Sequence, residues 1–241
     1  METNAVKYDI AKPFHIKTLI QITVVMASTV GVKTLADYFG INGAGSIGIW
    51  TGILIATAFM KQEGIRWTDW GLQLPKGSKE WFIQLGLALL TVIGVFLLMG
   101  LVLDPLLNNM GLVKPAEAAD RFRFFLGKPA LFIAYLIGVI WFGAALGEEL
   151  LMRGFLLNRL ACFFGSNKSA HIIALCIHSI IFGAMHSYQG LHGIITTGFI
   201  AVIFGTVYLL AKRRLFIVIL SHVLINTISL TAFYLTGGEV N

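Results

Sequence analysis

Runs of about twenty apolar residues recur along this chain, and that feature leaves little choice of fold. A bilayer core of about 30 Å takes about twenty residues of helix to cross. Inside it every backbone group must be bonded within its own segment. Seven such runs can be read, at roughly 17–39, 45–60, 80–103, 129–149, 169–187, 191–211 and 215–235. Of the 241 residues, 57% are hydrophobic and 12% are charged, against about a quarter charged in a soluble domain. The expectation is an all-α, polytopic transmembrane helical bundle of about seven spans plus one interfacial segment. It forms a single integral membrane domain over 1–241, with no room for a large soluble one.

The connections carry the topology. Lys33 and Asp37 interrupt the first run at a spacing that lets them pair. Trp67 and Trp70, in the polar stretch 61–79, suit a headgroup interface. Asp104-Pro105 is expected to close the third run. The long connection 104–128 mixes basic and aromatic residues in Arg121-Phe122-Arg123-Phe124-Phe125 and reads as an amphipathic segment on the membrane surface. No proline interrupts the fourth helix before Phe164, so it can run on to the turn signal Gly165-Ser166-Asn167. Lys7, Lys12 and Lys17 lead into the first run without a small-residue cleavage site, so that run is expected to stay as an anchor. With the N-terminus in the cytoplasm, 13 of the 18 Lys and Arg fall on the inner side and 5 on the outer, as the positive-inside rule asks. The net charge of +6 is thus a topology signal, and no nucleic-acid partner is expected. Cys162 and Cys176 form no metal-ligand pattern and imply no disulfide framework.

One stretch breaks the apolar pattern. Residues 129–146 hold no charge, and Gly147-Glu148-Glu149-Leu150-Leu151-Met152-Arg153 follows directly. Charges at bilayer depth cost several kcal/mol and mark function or a wet cavity. Glu149 and Arg153 are i, i+4 and can pair. Glu148 lies about 100° round the helix and is left free for chemistry.

Two later runs carry similar pairs, Phe182-x-x-x-His186 and His222-x-x-x-Asn226. Each projects two side chains from one helical face. The turn at 165–167 makes the fourth and fifth runs a hairpin. Glu148 and His186 are nearly equidistant from it, so they should lie at one level. A carboxylate and an imidazole sharing a water form a general base. His222 and Asn226 can donate to a carbonyl oxygen that becomes an anion.

In their order, Glu148-Glu149-x-x-x-Arg153, Phe182-x-x-x-His186 and His222-x-x-x-Asn226 resemble the three motifs of the CPBP intramembrane proteases. That family contains the CAAX prenyl endopeptidases and bacteriocin-processing or self-immunity proteins. The resemblance covers a catalytic core at about 130–230. It implies that Glu148 is the catalytic glutamate acting with His186, that His222 and Asn226 stabilise the oxyanion, and that Glu149, Arg153 and Phe182 support them. It implies a peptide or protein substrate, lipidated or membrane-bound, in a bacterial or archaeal plasma membrane, cut near the cytoplasmic face. Zinc is an open alternative, with Glu148, His186 and His222 as its candidate ligands; His-Glu-x-x-His is absent.

One discrepancy stands. In straight, parallel spans, His222 would lie about 12 Å from the Lys212-Arg213-Arg214 end, while His186 would lie near the far end of its own run. Either the helices tilt strongly or the chain breaks near Gly190. Two other functions compete with a peptidase: a non-catalytic immunity or scaffold protein of the same fold, and a transporter using these residues as a proton relay.

Overall fold

The computed structural model describes residues 16–238. Lys7 and Lys12 of the anchor reading lie outside them. Among the described residues the chain is helical throughout, with no strand. Seven helices carry it: α1 (Ile16–Tyr38), α2 (Ala44–Gln62), α3 (Ser78–Asn109), α4 (Pro129–Phe163), α5 (Lys168–Ala184), α6 (Gly190–Leu210) and α7 (Leu215–Leu235). All except α5 are long and apolar enough to cross a membrane; α5 is shorter, at 17 residues.

α4 is the centre. It packs against α2, α7, α5 and α6, and its last turns also meet α1. Residues 149–161 are all buried. A helix covered on every side sits in the middle of its bundle, and Leu150, Leu151, Met152, Phe155, Leu156 and Leu157 are the heart of the apolar core. As expected, the helix runs unbroken to the 165–167 turn. Over Leu136–Leu157 it is widened to i→i+5 hydrogen bonding. Wide turns are rare and often sit at functional sites; here they underlie the charged motif.

Small residues bring α5 and α6 together, as is common where membrane helices cross. A methyl group at Gly183 would lie 2.5 Å from the Ile194 carbonyl oxygen. The backbones meet there because Gly183 has no side chain.

Two readings of the connections need correction. Asp104-Pro105 does not end α3. A wide turn at Met99–Leu103 precedes it, and the helix continues to Asn109. Proline is tolerated at the start of a helical segment, where its missing N–H costs nothing. Trp70 is not an interface residue; it is 2% exposed. Its carbonyl accepts from Tyr208 Oη at 2.9 Å, and that hydroxyl accepts from Asn158 Nδ2 at 2.8 Å. This network draws the 67–70 turn into the core between α4 and α6.

The 104–128 connection is no loose strap. Ala116–Phe125 forms a 3₁₀ turn. Phe122, Phe124 and Phe125 pack on Phe132, Tyr135, Phe233 and Tyr234, and Phe125 is wholly buried. The aromatic residues thus dock on α4 and α7, and Arg121 and Arg123 remain exposed.

At the far end of α4, Arg159 binds Glu63 at 2.7 Å and lies over the ring of Trp70. Glu63 also accepts from Gln21 at 2.7 Å and meets Lys17 at 3.1 Å. Burial would raise the Glu63 carboxyl, but its bonds to Gln21, Arg159 and Lys17 outweigh that and hold it below the ordinary carboxylate range. One carboxylate thereby ties α1, the end of α2 and α4.

Candidate active site

Glu148, Arg153, Phe182, His186, His222 and Asn226 line one cavity of about 1340 Å³. Three stretches far apart in sequence therefore meet, as the motif reading expects. α4 supplies Glu148 and Arg153, the end of α5 supplies Phe182 and His186, and α7 supplies His222 and Asn226 one turn apart. Trp141 Nε1 donates to Thr227 Oγ1 at 2.9 Å and pins α4 to α7 beside this face.

Glu149 stands behind the cavity wall, fully buried. Arg153 Nη1 donates to its Oε1 at 2.8 Å, which is the pair the i, i+4 spacing predicts. The spacing holds in a widened helix because one turn there is still between four and five residues. Arg153 is also fully buried and lies over the rings of Phe182 and Phe204, at 4.8 and 5.3 Å. Phe182 is thus a wall for the guanidinium as well as a lining residue.

A second partner of Glu149 comes from α7. His222 Nδ1 lies 2.8 Å from the same Oε1. Sequence spacing gives no hint of this bond, which joins positions 73 residues apart. A carboxylate paired with a guanidinium is ionised and can only accept, so His222 Nδ1 carries a proton. Its Nε2 is the ring nitrogen left for the cavity.

His186 is held differently. α5 ends at Ala184, and His186 sits beyond it, before the short turn Ser187–Gln189. Its Nδ1 lies 2.9 Å from the Phe182 carbonyl oxygen. A carbonyl also only accepts, so Nδ1–H is the donor and Nε2 of the neutral ring is a free acceptor. The chain leaves the helix after a short α5 and restarts at Gly190, whose φ of +69° is backbone that glycine tolerates. His186 therefore lies in the connection between α5 and α6.

The site contains more than the motifs. Asp104 and Asn108 from the end of α3, Lys114 and Pro115 from the connection, Gln189 from the turn before α6 and His192 from its first turn line the same cavity. His192 Nε2 is 3.3 Å from Asp104 Oδ1. In the sequence Asp104 is a charge directly after an apolar run, a signal that a helix stop shares. His192 stood two residues past Gly190 with no marker. His178, also unremarked, is fully buried on α5, with Nδ1 3.4 Å from Ser179 Oγ.

The zinc alternative can be tested on the side chains themselves. Among the described residues, no three His, Cys, Asp or Glu gather in a way that could hold a metal ion. Glu148, His186 and His222 line one cavity without forming such a set. Glu149 and the Phe182 carbonyl engage Nδ1 of His222 and of His186 and leave each Nε2 free, so the spacing of the side chains alone speaks against a ligand set, and no step below is routed through a metal.

No curated protein and no solved structure matches the chain. Residues 130–228 match the family model described as type II CAAX prenyl endopeptidase Rce1-like. The match spans less than half of the chain, and it covers α4 to α7 with all three motifs. That match supports the resemblance of the three motifs to those of the CPBP intramembrane proteases.

Proposed function

We propose that this chain is an intramembrane endopeptidase that hydrolyses a peptide bond with a water activated by Glu148 and His186. The observation that carries the reading is the convergence of Glu148, His186, His222 and Asn226 on one cavity. Glu148 lies on the cavity side of α4, and Glu149 is occupied by Arg153 and His222. Glu148 is therefore the carboxylate available to take a proton from water. His186 offers an unprotonated Nε2 to the same water. The hydroxide attacks the scissile carbonyl carbon, and the carbonyl oxygen becomes an anion. His222 and Asn226 receive that oxygen; one such donor is commonly worth about 2.7–4 kcal/mol in the transition state. Glu148 then returns its proton to the leaving amine as the carbon–nitrogen bond breaks.

The substrate fits the same picture. The cavity combines apolar walls such as Ile140, Ile225 and Leu230 with a polar floor, which suits a peptide that carries a lipid or enters from the bilayer. The 13-to-5 distribution of Lys and Arg supports a cytoplasmic N-terminus. The catalytic core is 130–230, within one membrane domain.

The deciding experiment is cleavage of a quenched-fluorescent prenylated peptide ending in Cys-aliphatic-aliphatic-X by purified protein, with and without chelator, beside Glu148→Gln. Turnover that survives the chelator and vanishes in the variant is expected. Equal turnover in wild type and variant would sink the glutamate mechanism. Cleavage of no peptide at all would favour the non-catalytic immunity or scaffold reading.

A further inference from the structure

The proposed oxyanion role makes a demand that the geometry at His222 turns into a specific assignment. Nδ1 is committed to Glu149 at 2.8 Å and carries a proton. Only Nε2 can then reach a substrate oxygen. In a neutral ring Nε2 is a bare lone pair, which repels an oxyanion. Donation from Nε2 requires the ring to be protonated at both nitrogens.

We infer that Glu149 is a positioning residue that holds His222 as the imidazolium, so that Nε2–H faces the scissile carbonyl throughout the reaction. The inference rests on the peptidase reading above. It departs from the sequence expectation, in which Glu149 serves Arg153 alone.

Charge balance supports it. Around His222 stand Glu149 and Arg153 on α4, both fully buried, with Glu148 and His186 lining the same cavity and the Phe204 ring of α6 5.8 Å away. With His222 protonated, two carboxylates face two cations and the cluster sums to zero. Beside the fully buried Glu149–Arg153 pair an unbalanced charge is costly. With His222 neutral, the same cluster would carry one uncompensated negative charge. During the reaction Glu148 gains a proton and the substrate oxygen gains the negative charge, so the balance is unchanged. No proton moves at His222. A carboxylate that orients a histidine and stabilises its cation while remaining ionised is a recurrent arrangement in acyl-transfer sites.

The test needs a readout that does not depend on finding the natural substrate. Full-length protein labelled with ¹⁵N-histidine, in phosphatidylcholine vesicles at pH 7, gives the number of protonated nitrogens on His222, with the signal assigned by its loss in His222→Asn. Two protonated nitrogens are expected in the wild type. Glu149→Gln leaves Arg153 unpaired and can fail to fold, so the informative variant is Glu149→Gln with Arg153→Met, which removes both charges of the pair. That variant should show one protonated nitrogen. On the quenched prenylated peptide its kcat should fall by roughly 10²-fold, with KM within about twofold of the wild type. A neutral His222 ring in the wild type overturns the assignment. So does a double variant that keeps the wild-type kcat, because Glu149 would then serve only to neutralise Arg153. If the wild-type ring is cationic but Glu148→Gln still cleaves, the glutamate mechanism falls and the role of Glu149 stands.

Discussion

Two arginines on α4, six positions apart, have nearly the same surroundings and opposite consequences. Arg153 and Arg159 are both buried, both bind a glutamate at 2.7–2.8 Å, and both stack on two aromatic rings. What differs is the glutamate's other company. Glu63 is shared with Gln21 and Lys17, which come from α1, so that cluster fastens helix ends together. Glu149 is shared with His222, whose ring lines the cavity. The same ion pair is a clamp in one place and the rear wall of a reactive site in the other. The type of residue does not distinguish them; the third partner does.

That comparison can be broken by mutation. The largest expected effect belongs to the cavity side. Glu148→Gln should lower turnover of the prenylated peptide by roughly 10²–10⁴-fold, the usual contribution of a general base, with the thermal midpoint unchanged. A similar loss of turnover from Arg159→Leu, at unchanged stability, would erase the contrast between the two clusters.

Next come the buried pairs themselves. Glu149→Ala or Arg153→Ala should each cost about 3–5 kcal/mol of stability, because each leaves an uncompensated buried charge. The double variant should cost less than the sum. Denaturation midpoints that simply add would show that the pair is uncoupled. Glu63→Ala should cost less, because Glu63 keeps some access to water.

Asn226→Ala should slow turnover by about 10²–10³-fold with little change in KM. An effect on KM alone would assign Asn226 to substrate binding and leave the oxyanion to His222.

The smallest effect is a pH dependence confined to the clamp. The folded-state value of Glu63 lies below the ordinary carboxylate range. Its ionised form is therefore favoured by folding. That contribution is fully present above the ordinary carboxylate value and is lost as pH falls through the lower, folded value. Thermal midpoints of the wild type should decline over that acid window, and Glu63→Gln should decline less. Parallel curves for the two proteins would remove Glu63 from the account.

The structure returned some features of the sequence directly and altered others. α7 occupies the expected 215–235, and α4 runs through the charged motif to the turn at 165–167. The Lys33–Asp37 and Glu149–Arg153 pairs form as their spacing predicts. Trp70 was misplaced because a tryptophan between apolar runs reads alike at an interface or in a core. Only the Asn158–Tyr208 network settles which it is. Asp104 was misread because a wide turn before Pro105 leaves no mark in hydropathy.

What the sequence by itself determined is whatever depends on local periodicity and on the cost of burying polar groups. Apolar runs of membrane length dictate helices, and charges within such runs require a compensating reason. Residues four apart share a face. The three pairs are visible by these rules, while their significance as an ordered set rests on the family resemblance. The tertiary structure decided which distant side chains meet. It gave His222 to Glu149, left Glu148 facing the cavity, broke the chain so that His186 could reach it, and brought Asp104 and His192 to the same wall. Such choices depend on how helices cross and on which charges balance across them, and no local stretch of residues carries that information.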